Sequence, residues 1–283
     1  MPEPHAGPSG RGAVIVPAYN EAAVIERTLA PLGRTAAEGY FELVVVCNGC
    51  TDGTAAVARK FPGVHVVELA EGSKPAALNA GDRVASLWPR LYLDADIRIS
   101  AAAVLDVLDR LASGDVLAAR PASRYDFTGA NPLVRSYYRA RQRIRRKPVL
   151  WGAGVYGLTE AGHRRFGSFP PLTGDDLFVD DRFGPDEKIV VETEPVVVTT
   201  PADVASLLAI LRRSRRGVTE AGADDRRPER TGPATARAVV RSIRGPGTAA
   251  DALVYITLAL VARWGARGRA AGWERDESSR AHR

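Results

Sequence analysis

The sequence predicts an α/β fold built on a mostly parallel, Rossmann-like sheet flanked by helices, with a helical C-terminal extension. Three observations carry this. Short apolar runs without polar alternation recur through the first third of the chain, the pattern of strands covered on both faces. Helical spacing follows each run, which is the alternation of a parallel sheet. The segments rich in Asn, Asp, Gly and Pro all follow strands, so such a sheet gathers them at one edge. With 283 residues, 45% hydrophobic and 25% charged, the chain can bury a large core as one domain or two closely packed halves.

Met1 to Gly12, rich in Pro and Gly, reads as a flexible leader without a signal peptide's apolar core. Ala13 to Val16 is the first strand, and Glu21 to Leu32 has helical spacing before Gly33. Phe41 to Val46 is the second strand, with a loop to Thr54 and a helix to Phe61. Val64 to Leu69, Lys74 to Leu87 and Leu91 to Leu93 continue as strand, helix and strand, and Ala101 to Leu111 as helix. Beyond it the pattern loosens. Asp115 to Ala119 and Val155 to Leu158 are short strands, Asn131 to Arg146 a basic helix, and Thr159 opens another helix. Gly174 to Phe183 is a short acidic helix, Lys188 to Thr199 has strand composition, and Pro201 to Arg216 is helical. Gly217 to Thr235 is polar and Gly/Pro-rich, as a linker or mobile loop is. Ala236 to Ile243 and Ala249 to Trp264 are helices, and the tail from Gly265 is expected to be disordered.

The chemistry centres on Leu91-Tyr92-Leu93-Asp94-Ala95-Asp96. If the strand continues, Asp94 and Asp96 point to one side. Two carboxylates at the carboxyl end of a buried strand suit a hard divalent cation bridging to a diphosphate. A net charge of +6 and a pI near 9.6 point to an anionic partner: nucleotide phosphates, lipid headgroups or nucleic acid. Cys47 and Cys50 are the only cysteines, which excludes a disulfide scaffold and a four-cysteine zinc site within one chain. A thioredoxin-like reading of this C-x-x-C leaves the Asp94/Asp96 pair and the segment from Pro17 to Glu21 without a purpose. The longest apolar candidate, Ala252 to Ala262, is too short to span a membrane.

Four segments in order resemble family 2 glycosyltransferases, which have the GT-A fold. They are Val14-Ile15-Val16-Pro17-Ala18-Tyr19-Asn20-Glu21, Asn48-Gly49-Cys50-Thr51-Asp52-Gly53-Thr54, the stretch from Gly72 to Gly81 with its K-x-x-A-L-N-x-G pattern, and Leu93-Asp94-Ala95-Asp96. The resemblance implies a nucleotide-sugar-binding half over 13–97 and an acceptor half over 98–217 of one domain. A linker at 218–235 and C-terminal helices at 236–264 then follow. It assigns Pro17, Ala18, Tyr19 and Glu21 to the nucleoside pocket, together with Asn48, Asp52 and Lys74. Asp52 has a second role open to it, capping the helix that begins near Gly53. Asp94 would touch the ribose or the metal, and Asp96 would bind Mg2+ or Mn2+. UDP-sugar is the donor the resemblance favours. Cys47, however, stands where the family often has an acid that pairs with a uracil N–H, and cysteine is a poor acceptor.

In the acceptor half, the segment from Gly174 to Arg182 resembles the family's E-D-x-x-x-x-x-R helix. Asp175 takes the Glu place and Asp176 is the expected general base, so that inversion follows from in-line attack. The alternative is an exposed acidic face with Asp180 and Asp181 in solvent. Arg212 and Arg215 fall where some members carry Q-x-x-R-W. They either clamp the diphosphate or form the basic end of a surface helix. Loss of that signature argues for transfer of a single sugar.

Two features bear on the acceptor. Arg135, Arg139, Arg141, Arg143, Arg145, Arg146 and Lys147 cluster without an acid among them, interleaved with Tyr137 and Tyr138. Leu253, Ile256, Leu260 and Trp264 share a stripe of the last helix. Together they suit peripheral docking at the inner face of an anionic membrane by an otherwise cytoplasmic protein. For the last helix, packing on the protein is the other reading. The expectation is thus a metal-dependent, inverting glycosyltransferase acting on a glycan or polyprenyl-linked acceptor in cell-surface polysaccharide or glycolipid assembly, with no nucleic-acid partner. The rival outside enzymes is a basic nucleotide-, membrane- or nucleic-acid-binding module. Within enzymes a nucleotidyltransferase would need a G-x-G-T-R type loop after the first strand, which is absent here.

Overall fold

β1 (Ala13–Ala18) has strands on both sides, and Val14, Ile15 and Val16 on it have no exposed surface. It pairs in parallel with β2 (Glu42–Asn48), register Ile15 to Val44, and with β4 (Arg90–Leu93), register Ile15 to Tyr92. β3 (Val64–Leu69) adds in parallel outside β2 and leaves His65 and Glu68 exposed at the edge. The computed structural model describes residues 10–144, 148–220 and 233–264. The expected leader before Gly10 and tail from Gly265 lie outside these residues, as do 221–232 of the expected linker.

Beyond β4 the direction reverses. β6 (Val155–Leu158), which leads into the short α7 (Glu160–His163), is antiparallel to β4, and β5 (Ala118–Asp126) is antiparallel to β6. With β7 (Lys188–Thr199) the sheet has seven strands in the order β3-β2-β1-β4-β6-β5-β7. β1 has β2 on one side and β4 on the other, which makes its carboxyl end a switch point of the parallel part.

Five helices flank the parallel part: α1 (Ile25–Leu29), α2 (Gly33–Ala37), α3 (Thr54–Ala58), α4 (Lys74–Val84) and α5 (Ala101–Ala112). α4 is capped by Ser73, whose hydroxyl accepts the Ala76 N–H, and it closes directly onto β1 at Gly81. A Cβ at Gly81 would sit 2.4 Å from Ile15 Cγ2, so the helix approaches only because none is there. Of the helix expected over Glu21 to Leu32 only the short α1 forms, and a second short helix, α2, begins just past it. Pro31, which has no N–H to donate, falls between them. The strand expected at Asp115 to Ala119 begins at Ala118 and runs on to Asp126.

The described residues form two compact units. One comprises the chain up to Arg124, Val149–Pro171 and Arg182–Val198; the other comprises Tyr125–Pro148, Leu172–Asp181 and the chain from Thr199 onward. In the second unit, α6 (Pro132–Ile144), α9 (Val204–Glu220), α10 (Pro233–Arg241) and α11 (Pro246–Trp264) supply the helical extension. Their core is Val134, Tyr137, Tyr138, Leu207 and Leu258, with the Tyr137 and Tyr255 rings stacked 4.8 Å apart. α9 continues through Gly217 to Glu220, past the expected start of the linker.

The basic cluster is not free of acid in space. Asp251 on α11 accepts from Arg139 at 2.7 and 3.1 Å and from Arg143 at 2.9 Å. Burial alone would raise the Asp251 carboxyl, but hydrogen bonds from Arg139, Ser136 and Arg143 overcome it and hold the group down at about 2. Arg145, Arg146 and Lys147 lie outside the described residues.

At the amino-terminal end of β4, Asp82 accepts from Arg90 Nη1 at 2.9 Å and from the Tyr92 hydroxyl at 2.8 Å, and His163 Nε2 lies 3.0 Å away. The Arg90 guanidinium also lies 3.9 Å over the Trp88 ring. Arg90 and Asp82 are almost fully buried. Removing one partner of a buried pair strands the other, so Asp82→Ala is expected to cost about 3–5 kcal/mol. The check is a lower urea midpoint with an unchanged m-value.

Candidate functional site

The loops that follow β1, β2, β3 and β4 are tied to one another by side chains that each reach across to a neighbour. Asn20, just after β1, is in the left-handed region at φ 52°, which Asn tolerates better than most residues. Its Oδ1 accepts from the backbone N–H of Thr51 at 2.7 Å and of Asp52 at 3.2 Å. Its own N–H donates to Cys50 Sγ at 3.3 Å, and that thiol donates to the Ala18 carbonyl. In return Thr54 Oγ1 accepts the Glu21 N–H at 2.7 Å, and Asp52 Oδ2 accepts the Ala22 N–H at 3.2 Å.

Asn48 brings in the third loop. Its Nδ2 donates to the Ala18 carbonyl at 2.8 Å, and its Oδ1 accepts the Ser73 N–H at 2.9 Å. Gly49, at φ 64°, lies where a Cβ would be 2.5 Å from the Gly72 nitrogen. A Cβ on Gly72 would in turn be 3.1 Å from the Tyr19 ring, so Tyr19 lies close against third-loop backbone. Lys74, the first residue of α4, closes the set: its Nζ is 2.6 Å from Asp94 Oδ1.

Asp94 and Asp96 are not consecutive strand positions. β4 ends at Leu93, and the Ile97 N–H donates to the Asp94 carbonyl at 3.1 Å, which closes a turn. Asp94 keeps one ladder bond, its N–H to the Gly154 carbonyl at 2.8 Å, and the Thr28 hydroxyl holds the Ala95 carbonyl at 2.7 Å. Gly154, at φ 67°, presses bare backbone on this turn: a Cβ there would be 2.5 Å from Ile97 and 3.2 Å from Asp94 Oδ2.

Among the described residues no three His, Cys, Asp or Glu side chains gather into a metal cage. Mg2+ and Mn2+ bind through one or two carboxylates and complete their shells with phosphate oxygens and water. The two carboxylates of the 94–97 turn fit an ion that arrives with a diphosphate.

Other expected residues fall as follows. Pro17 and Ala18 are buried at the end of β1, while Tyr19 and Glu21 are partly exposed beyond it. Asn48 has no exposed surface; its amide is spent on bracing the loops, not on reaching a ligand. Asp52 does not cap α3 in the usual way. It is exposed and accepts from the Thr54 N–H at 3.0 Å across Gly53, while its other oxygen holds the first loop. Cys47 is buried in the core of the sheet, and burial, helped by Cys50 beside it, pushes its thiol up to about 12. Buried in the core, this thiol is out of reach of a redox partner.

In the second unit, α8 (Asp175–Asp180) follows Gly174 at φ 83°. Asp175 and Asp180 are buried at 8% and 1% exposure, which rules out the exposed acidic face for Asp180. Asp176 is partly exposed in the first turn, its Oδ1 accepting the Leu177 N–H at 2.8 Å. Arg212 on α9 buries its Nε without a hydrogen-bond acceptor among the described residues. The Arg215 side chain lies outside those described.

Sequence reasoning missed Asn20, Cys50, Thr54 and Thr28 as organisers of these loops. The available signal was Asn20, a residue type suited to the left-handed region, directly after a strand. Asn48→Ala would leave the Ser73 N–H and the Ala18 carbonyl without this partner in a dry site. We expect a loss of roughly 2–4 kcal/mol, read in thermal melts, and weaker nucleotide binding in a titration of the variant.

Braced loops, a lysine–carboxylate pair and a turn holding two acids thus meet at the carboxyl ends of the parallel strands, where α/β folds place their ligand sites. The profile described as Glycosyl transferase family 2 matches residues 13–166, over half of the chain, and the chain belongs to that family. Glycosyltransferase AglE of Haloferax volcanii is 35% identical over 89 residues, which span 29% of this chain and 29% of that relative. Among solved structures, the mannosyltransferase PcManGT from Pyrobaculum calidifontis, in complex with GDP-Man and Mn2+, superposes with a TM-score of 0.60 at 22% identity, covering 94% of this chain and 85% of that one. S. aureus TarS with UDP-GlcNAc gives 0.53 at 15% identity over 91% and 93% of the two chains. Glucosyl-3-phosphoglycerate synthase from Mycobacterium tuberculosis, with Mn2+, UDP and phosphoglyceric acid, gives 0.54 at 18% over 75% and 78%. At these identities the likeness establishes the fold, that of the GT-A glycosyltransferases.

Proposed function

We propose that this protein is a metal-dependent, inverting glycosyltransferase that moves one sugar from a nucleotide-sugar to a hydroxyl of a glycan or polyprenyl-linked acceptor. The observation that carries the reading is the bracing of four loops at the carboxyl ends of β1 to β4, with Lys74 on Asp94 at its end. In it, Tyr19 and Glu21 receive the nucleoside, on a floor that Asn48 and Asn20 keep rigid. Lys74 orients Asp94, and Asp96 with Asp94 would hold Mg2+ or Mn2+. When bound, that ion neutralises charge on the departing nucleoside diphosphate. Asp176 takes the proton of the acceptor hydroxyl, and the Arg212 guanidinium takes phosphate oxygens. Assembly of cell-surface polysaccharide or glycolipid, at the inner face of a membrane, is the setting we assign to it.

UDP-sugars are the donors we propose to test first. GDP-sugars are the second reading, since Cys47 offers no acceptor to a uracil N–H and PcManGT was solved with GDP-Man. A ligand that binds only the folded state raises apparent stability by mass action. Thermal shift with UDP, GDP, dTDP and CDP, each with and without Mn2+, is expected to single out one nucleotide, with a shift that needs the ion. No shift with any of them in folded protein would sink the reading. Among the described residues no helix is long and apolar enough to cross a membrane.

A further inference from the structure

We propose that the exposed faces of α10 and α11 in the second unit dock on an anionic lipid surface. The inference rests on the proposed function only in that a lipid-linked acceptor gives such docking a purpose; the binding itself is independent of transfer.

α11 packs through Asp251, Ala252, Leu258 and Ala262, and turns the opposite side outward. There Leu253 is 67% exposed, Leu260 52%, Val261 40% and Trp264 82%. With Thr257, they recur at helical spacing and form one uncharged stripe roughly 16 Å long. Single exposed apolar residues need no explanation, but an aligned run ending in Trp does. α10 and the turn after it expose Val240 and Ile243 among the equally exposed Arg237, Arg241 and Arg244.

The charge is one-sided. Asp251 is the only acid between residues 233 and 264, and it is buried under Arg139 and Arg143. No carboxylate among the described residues pairs with Arg237, Arg241, Arg244 or Arg263. An uncharged stripe together with exposed arginines that no described carboxylate pairs is the composition of a helix lying in a headgroup layer. A second copy of this chain is a poor occupant, because a two-fold contact would set arginine against arginine. A nucleic acid would satisfy the arginines but leave the stripe wet.

The test is flotation of the full chain with phosphatidylcholine vesicles, with and without about a quarter of phosphatidylglycerol. Two exposed triple variants accompany it: Leu253→Ser/Leu260→Ser/Trp264→Ser and Arg237→Gln/Arg241→Gln/Arg244→Gln. Wild type is expected to float with anionic vesicles only. At roughly fivefold per arginine, the charge variant should lose on the order of a hundredfold in partitioning, and the apolar variant should also be released. The proposal is overturned if wild type floats with neither vesicle, or if the apolar variant floats as well as wild type. It is equally overturned if the apolar variant abolishes self-association in light scattering while no vesicle binding is seen. Nucleotide thermal shifts on the same preparations report the donor site separately, so failure of docking and failure of the transferase reading are told apart.

Discussion

Asp96→Asn is expected to remove the Mn2+-dependent part of the nucleotide thermal shift and to lower sugar transfer by roughly 10²–10⁴-fold. The size follows from what the ion supplies: several kcal/mol of charge stabilisation on a leaving diphosphate, at 1.36 kcal/mol per factor of ten. Asn keeps the shape of the side chain and Asp96 is partly exposed in a turn, so the melting temperature without ligand should hardly move. The turn is held at its backbone carbonyls, by the Ile97 N–H on Asp94 and the Thr28 hydroxyl on Ala95, and neither bond needs the Asp96 carboxylate. Asp94→Asn makes the contrast. It weakens the partner of Lys74 and should cost nucleotide affinity with and without Mn2+. An Mn2+-dependent shift of wild-type size in Asp96→Asn would take the metal away from this residue.

Much of the fold could be read because its signals are local. β6 and β7 coincide with their apolar runs, and α5 with its helical spacing to within a residue, since burial on both faces or one face leaves a clear period. What escaped depends on partners distant in sequence. Asn20 and Cys50 look like loop residues until the bonds across 30 positions are seen. The arginines of α6 looked unpaired because Asp251, their partner, comes 112 residues after Arg139. Asp94 and Asp96 were placed on a strand by an alternation argument that a turn interrupts. The same acids remain the candidates, but their relation to each other comes from the turn closed by Ile97.

The cysteines show how a motif changes meaning in context. C-x-x-C between a strand and a helix has a redox reading, yet Cys47 faces the core and Cys50 is engaged with Asn20 and Ala18. Cys50 supports the shape of the first loop, and Cys47 fills the core. A small, weakly polar side chain at position 50 can both accept an N–H and donate to a carbonyl.

Asp176→Asn is the variant that separates chemistry from binding. If Asp176 removes the acceptor proton, its amide cannot, and kcat is expected to fall by about 10²–10⁴-fold, the usual worth of a positioned base. The donor KM and the nucleotide thermal shift should stay near wild type, because the lost interaction is made only in the transition state. Local structure favours a clean experiment. Gly174 turns the chain into α8 in a left-handed conformation, and an Asn oxygen can accept the Leu177 N–H as Asp176 Oδ1 does. The neighbouring acid provides the comparison, since Asp175 is buried and its replacement should appear first in stability. Asp180, buried more deeply still, should behave like Asp175. A variant that keeps both its fold and its turnover at position 176 would move the base to another acid, and with it the argument for inversion.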